Sequence, residues 1–460
     1  MPKIYDTAIV GGDVWQHGEG IVKTNIYIDG EVISLLTPEH HEASEVVDAK
    51  GLLVLPGLID THSHHRDPGL THKEDARGAT AAAAAGGVTV TLAMPNVIPP
   101  TADVETFEAQ INNYSQKALV DWNINPSASD PAILADLAAL GCLAFKVYMV
   151  VDSKRPYPHM PALGIHDHAH ILEILESAKD TGLPLMVHPN DQAVFELQER
   201  RHFEQGTVDP IGYGKQDWMF DCLTWSSGVA TLLEINHVID ARLHVCHMMS
   251  DRTVELIRRA KADGDDVTAE VNAFALFLAD AETLGHLGPY AMGRFLKPHW
   301  VEALWAGIAD GTIDVLGTDH APHTVEEKEA GWSDMWKAPS GTPGIQHYLM
   351  KLLDAMHQGL ISLEDLVRIT SYDPAQRFGL YPKKGVLAAG SDADLVMVDV
   401  DATHTISDDE VLSVCGWTPY RDQTVRGVPR ATMLRGRMVM RDFKILVEPG
   451  FGQMAKPVGS

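Results

Sequence analysis

Leu55-Pro-Gly-Leu-Ile-Asp60-Thr-His62-Ser-His64-His65-Arg66-Asp-Pro-Gly69 joins an apolar run to two histidines one residue apart, and its backbone breaks at Pro68-Gly69. On a strand, residues two apart share a face. His62 and His64 therefore present two imidazoles to one spot at a strand end, a donor pair suited to a divalent metal. A polar rim is the plain alternative. The choice between them depends on whether other strands bring further ligands to the same place.

Working outward, further apolar strands are expected at 88–94, 120–125, 142–149, 183–188, 242–248, 266–271 and 313–319, with the opening run supplying another at 52–60. Helical patterns lie between them at 73–85, 167–181, 251–263 and 299–310. Eight strands alternating with helices predict an α/β fold, a (β/α)8 barrel. A doubly wound open sheet would call for a glycine-rich phosphate loop, and none is present; Gly86-Gly87 follows a helix and ends it. Short alternating strands at both ends (Thr7–Gly12, Asn25–Gly30, Glu31–Ser34 and Glu45–Asp48; then Ala393–Asp399 and Thr432–Met440) suggest a small β-sandwich domain assembled from both termini. The N-terminal set reads as a meander. The expected division is residues 1–54 and 381–460 for the β domain and 55–380 for the barrel.

The bulk properties narrow the function. A formal charge of −27 excludes a nucleic-acid surface, which needs clustered Lys and Arg. No apolar stretch reaches the roughly 18 residues of a membrane span, and the N-terminus lacks the form of a signal peptide. Cys142, Cys222, Cys246 and Cys415 are scattered without metal or disulfide spacing, as in a reduced cytoplasmic protein.

In a barrel the C-terminal strand ends meet at one mouth, where barrel enzymes carry their chemistry. Strand one brings His62 and His64, strand four Lys146, strand five His188, strand six His247 and strand eight Asp319. A lone ammonium in Leu143-Ala-Phe-Lys-Val-Tyr-Met149 would be costly to bury and would repel cations. Either its amine snorkels to the surface, or carbon dioxide converts it to a carbamate, an anion able to bridge two metals. In His244-Val-Cys-His247 the two histidines point to opposite faces, so His247, next to the strand end, is the expected ligand and His244 a structural residue. Asp319, between a glycine-softened strand end and a proline, suits a metal ligand that doubles as general base.

These residues together resemble the amidohydrolase superfamily, and within it the cyclic amidases: dihydroorotases, hydantoinases and dihydropyrimidinases, and allantoinases. The resemblance runs through 55–69, Lys73-Glu-Asp, Ala-Gly-Gly-Val-Thr89, Met94-Pro-Asn96, the lysine strand, His244-Val-Cys-His247, and Gly317-Thr-Asp-His-Ala-Pro-His-Thr-Val-Glu-Glu-Lys328. It closes at Asp373-Pro-Ala-Gln-Arg-Phe-Gly379 and Gly390-Ser-Asp-Ala-Asp-Leu-Val396. It implies two divalent ions, usually zinc. His62, His64 and Asp319 would hold one, His188 and His247 the other, and carbamylated Lys146 would bridge them. It also implies hydrolysis of a ring amide and a homo-oligomer, dimer or tetramer. Arg66, Asn96 and His323 match positions at which dihydroorotases hold a substrate carboxylate. Arg66 suits that role because a guanidinium pairs with a carboxylate through two parallel hydrogen bonds.

The chain departs from the long bacterial dihydroorotases at Glu270-Val-Asn-Ala-Phe-Ala-Leu276, where those tend to carry Pro-His-His. It departs again at Ala291-Met-Gly-Arg-Phe-Leu-Lys297, where Arg294 and Lys297 offer other anion contacts. Lys146 is hydantoinase-like or allantoinase-like. The expected activity is therefore dihydroorotase-like opening of a carboxylate-bearing cyclic amide, with hydantoinase, dihydropyrimidinase or allantoinase as the alternative. A non-catalytic barrel relative would lack ligands, yet all six are here. A single-metal deaminase would have no need of the lysine.

Overall fold

A computed structural model describes residues 3–151, 160–215 and 220–459. The centre is a parallel barrel of eight strands, Leu58–Ser63, Val88–Ala93, Asp121–Ile124, Phe145–Tyr148, Leu185–His188, Leu243–Val245, Val267–Asn272 and Val315–Gly317. The first three form one sheet and the last five another. Parallel bridges Ser63↔His320 and Ser127↔Lys146 join the two. Almost every strand residue is buried, as expected for parallel strands covered by helices outside and packed side chains inside. Seven of the eight expected barrel strands are found within three residues of their readings; the first is displaced.

The helices form where the sequence marks their ends. Ala76–Ala85 starts at Asp75, whose carboxylate accepts from Gly78 N. Asp251–Asp263 starts with a capping box between Ser250 and Thr253 and ends at left-handed Gly264. His168–Thr181 runs from the Asp167 cap to left-handed Gly182. Pro298–Ala309 begins with proline in its first turn.

Outside the barrel, two sheets face each other. One is wholly N-terminal, in the order 32–37, 25–29, 5–10, 43–48. The other mixes the termini, in the order 444–445, 437–441, 424–434, 395–405, 53–56, 13–16, 20–23. Ile9, Ile26, Ile28 and Val47 from the first sheet pack with Val14, Val54, Leu395, Met397 and Met433 from the second, giving a β-sandwich.

Three local readings change. The run at 52–60 is two strands: Leu53–Pro56 pairs antiparallel with 395–398 in the sandwich, and Leu58–Ser63 enters the barrel. The break falls at Gly57, where a Cβ would lie 2.2 Å from Thr89 Oγ1. The N-terminal strands are not a meander, because Tyr5–Val10 pairs parallel with Ala43–Asp48, and the hairpin Asp13–Gln16/Gly20–Lys23 joins the other sheet. The stretch 432–440 is a hairpin turned by Arg435-Gly436, both at positive φ, the backbone of a type I′ turn.

Candidate metal centre

His62 is the penultimate residue of the first barrel strand, Leu58–Ser63, and its ring is held from behind. Its Nδ1–H donates to Glu270 Oε1 at 2.8 Å, leaving Nε2 to face Asp319 Oδ1 at 3.7 Å. His64 is held alike: Nδ1–H donates to Asn96 Oδ1 at 2.7 Å, and Nε2 lies 3.1 Å from Asp319 Oδ1. His247 donates Nδ1–H to Asn272 Oδ1 at 2.5 Å. Asn272 is oriented by its own amide, which donates to Glu270 Oε1 and to Gly317 O. An oxygen acceptor behind each ring fixes its tautomer and leaves the other nitrogen's lone pair for a cation, the arrangement seen behind metal-bound histidines.

The candidate ligands converge. Donor atoms of His62, His64 and Asp319 all lie within 4.8 Å of one another, as do those of His62, Cys246 and His247. The rings of His62 and His247 are 4.8 Å apart, and those of His188 and His247 are 4.7 Å apart. Lys146 is fully buried on the fourth strand, where its Nζ donates to Cys246 Sγ at 3.3 Å. Its amine therefore adjoins the sulfur that stands beside His62 and His247. Burial keeps His64 neutral, its pKa pulled down to about 4, and holds His247 well below the usual imidazole range. Burial alone would raise the Asp319 carboxyl, but the His64 hydrogen bond and the neighbouring imidazoles hold it below the carboxylate range. Neutral His64 and His247 beside an ionised Asp319 are in the protonation states that a divalent metal requires.

His244 meets the cluster only through its support, its Nε2 lying 3.7 Å from Glu270 Oε2. Its Nδ1 pairs with Thr268 Oγ1 at 2.9 Å and its ring stands edge-on to Phe378. His247 reaches the mouth because the strand ends at Val245 and its own backbone turns left-handed, φ 61°. Asp319 and Arg66 are also left-handed, at φ 48° and 58°. Such backbone in non-glycine residues costs on the order of 1–3 kcal/mol each and gathers at functional sites.

A small cavity opens over these groups, walled by His62, His64, Arg66, Asn96, Tyr148, His188, His247, Met292, Arg294, Asp319 and Ser340 among others. Arg66 is buried, donating from Nε to Pro322 O and approaching His323 Nε2 at 3.3 Å from Nη2. His323 is not on the cavity wall. It sits behind Arg66, with Ser340 O at 3.1 Å and Lys73 Nζ at 3.3 Å. Asn96 lines the cavity and also holds His64. Arg294 reaches the wall with its guanidinium over the Trp225 and Phe274 rings. Lys297 instead turns to Asp221 and Trp300. Glu270 and Asn272 went unrecognised as site residues in the sequence. Their signal was a polar pair two apart in a buried strand, which places both on one face.

The amidohydrolase family model matches residues 159–439, and the dihydro-orotase-like model matches 51–148. A dihydroorotase of Halobacterium salinarum is 34% identical over 95% of this chain and 96% of its own length. An L-hydantoinase of Paenarthrobacter aurescens is 30% identical over 95% and 94%. The solved structure of the L-hydantoinase (dihydropyrimidinase) from Arthrobacter aurescens superposes with a TM-score of 0.93 at 28% identity, covering 98% of this chain and 100% of that one. The chain belongs to the amidohydrolase family, in its branch of metal-dependent dihydroorotases and hydantoinases.

Proposed function

We propose that the protein opens the ring amide of a small cyclic amide bearing a carboxylate, with dihydroorotate as the first substrate to try. The observation that carries this reading is Arg66, a buried guanidinium on the cavity wall two residues from His64, steadied by Pro322 O and His323. A neutral ring gives no reason to keep a guanidinium there; a carboxylate does. Asn96 and His323 complete that end of the pocket, His323 by holding Arg66.

His62, His64 and Asp319 are assigned to one divalent ion and His188 and His247 to a second. Lys146, carbamylated by carbon dioxide, is assigned as their bridge, and zinc is the first metal to test. Such a pair of ions polarises a carbonyl and acidifies water. Asp319, ionised between imidazoles, accepts the proton of the attacking water and delivers it to the ring nitrogen as the C–N bond breaks, leaving a carboxylate and a free amino or ureido group. Neutral-ring hydantoin opening is the second reading, favoured by the L-hydantoinase superposition. The four free, buried cysteines fit a cytoplasmic enzyme, and no described helix is long and apolar enough to cross a membrane. A dimer or tetramer is the assembly the family implies; light scattering checks it.

The test is a panel of dihydroorotate, hydantoins, dihydrouracil, allantoin and cyclic imides on metal-loaded protein, with Arg66→Met beside the parent. Arg66→Met is expected to lower kcat/KM on the carboxylated ring by about 100-fold or more, the scale of a lost buried charge contact, and to spare neutral rings. Unchanged turnover of dihydroorotate by the variant would retire the carboxylate reading. Metal analysis should return about two ions per chain in the parent and fewer in Lys146→Ala.

A further inference from the structure

Asp319 holds its left-handed backbone, φ 48°, and such a conformation persists only where the neighbours over-determine it. On one side Thr318 is anchored: its N–H and its hydroxyl both donate to Asp60, at 2.9 Å and 2.7 Å. On the other side stands buried His320. Its N–H donates to Thr318 Oγ1 at 3.0 Å, and its carbonyl accepts His64 N–H at 2.7 Å. The His320 ring is held at both nitrogens. Gly344 N–H donates to Nδ1 at 3.2 Å, so Nε2 carries the proton, and Nε2 lies 3.2 Å from Glu74 Oε2.

Glu74 is fully buried and ringed by donors. Ser413 Oγ–H also donates to Oε2, while Asp75 N–H and Val414 N–H donate to Oε1 at 3.0 Å and 3.2 Å. Four donors on two oxygens suit a carboxylate; an amide would turn its NH2 toward two of them. Helix capping does not account for Glu74, because Asp75 caps Ala76–Ala85. Nor does a lysine or arginine salt bridge, since its ion-pair partner among the described residues is His320. Ser413 and Val414 belong to the strap between the sandwich strands Leu395–Thr405 and Thr424–Leu434. The sandwich thus reaches the barrel mouth and braces the residue next to Asp319.

We propose that Glu74 is a positioning residue for Asp319, acting through His320, and that the sandwich strap completes its site. The inference rests on the reading of Asp319 as the proton carrier. It makes the β domain part of the apparatus that aims that carboxylate.

The test is steady-state kinetics of zinc-loaded Glu74→Gln on dihydroorotate or hydantoin, whichever the parent opens faster, at matched metal content. Its kcat is expected to fall about 10–100-fold, the scale of a misplaced reacting group, with KM within about twofold of the parent's. A merely structural Glu74 would cost melting temperature or metal and leave kcat per loaded site at the parent's value; that result overturns the proposal. Hydrogen exchange supplies a readout without turnover. Peptides covering 318–323 and 341–347 are expected to exchange at least about tenfold faster in Glu74→Gln, while 243–248 keeps its rate. Unchanged exchange in the first two overturns the proposal. Should Glu74→Gln fail to fold, Ser413→Ala removes one donor of the strap and is expected to lower kcat about threefold or more at unchanged KM; full activity overturns the proposal. Failure of the Asp319 reading looks different: Asp319→Asn at matched metal content would keep the parent's kcat, and that overturns both.

Discussion

Glu270 is the residue on which the histidine cluster leans. Its carboxylate takes His62 Nδ1–H and the Asn272 amide and lies 3.7 Å from His244 Nε2. Burial would raise its pKa, but the two imidazoles hold it well below the carboxylate range, so it stays charged. Glu270→Gln keeps the shape and removes the charge that makes His62 a strong donor. It is expected to weaken metal retention by about 10–100-fold, read by competition with a chelator. Lys328 gives a pH prediction. It is fully buried, donates to Pro339 O at 2.8 Å, and has its pKa pulled down to about 7 by burial and by the Arg66 charge. The unfolded chain holds that proton up to about 10.4. Between these values the unfolded state binds more protons, so this residue's contribution to stability rises with pH from about 7 to about 10.4. Lys328→Met, free of that penalty, is expected to melt higher relative to the parent at pH 7 than at pH 10; a gap that does not narrow would contradict the assignment.

At the scale of elements, the barrel was legible because buried parallel strands read as apolar runs and their ends carry the odd polar residue. Five of the six proposed ligands stand at or just beyond the C-terminal end of a run; Lys146 lies inside one, second in Phe145–Tyr148, and its residue type in an apolar strand was the signal. Less was legible where backbone decides. Nothing in His244-Val-Cys-His247 announces that His247 turns left-handed. The split at Gly57 depends on Thr89, which lies in the next strand. The depth of His323 depends on the loop around Ser340, so the sequence could place it at the mouth but not behind Arg66. Glu270 and Asn272 stood out as departures from a family pattern, and their role as supports emerged only with the neighbouring strands in place. Gly317, on the eighth strand, shows how tightly those neighbours meet: an added Cβ would sit 2.5 Å from Glu270 Oε2 and 3.0 Å from His62 Cβ. Gly317→Ala is therefore expected to cost about 1–3 kcal/mol by overpacking and to lower metal content, measured by chemical denaturation and elemental analysis.

For the whole molecule, the join between sandwich and barrel is both covalent and ionic. Lys384 is buried among three carboxylates, Asp121 of the third barrel strand at 2.8 Å, Asp394 at 2.6 Å and Asp392 at 3.0 Å. Arg435 of the sandwich hairpin pairs with Asp121 as well. Burial would lower the Lys384 pKa, but the carboxylates outweigh it and raise it. Removing one partner from such a group strands the others, so Lys384→Met is expected to cost about 3–5 kcal/mol. Calorimetry would register this as a lower melting temperature, and loosening of sandwich from barrel as a second transition.

The order of the seven-stranded sheet also bears on how the protein is made. Leu53–Pro56 lies between Asp13–Gln16 and Leu395–Thr405, so a strand synthesised early waits for a partner near the end of the chain. While the ribosome is still translating, the edge of Leu53–Pro56 stays open, one glycine away from the strand that carries His62. Until residues 395–398 are made, the proposed ligands His62 and His64 follow a strand with one open edge. The strand that leads to His62 is thus closed on both edges only once residues made after all six proposed ligands have joined it.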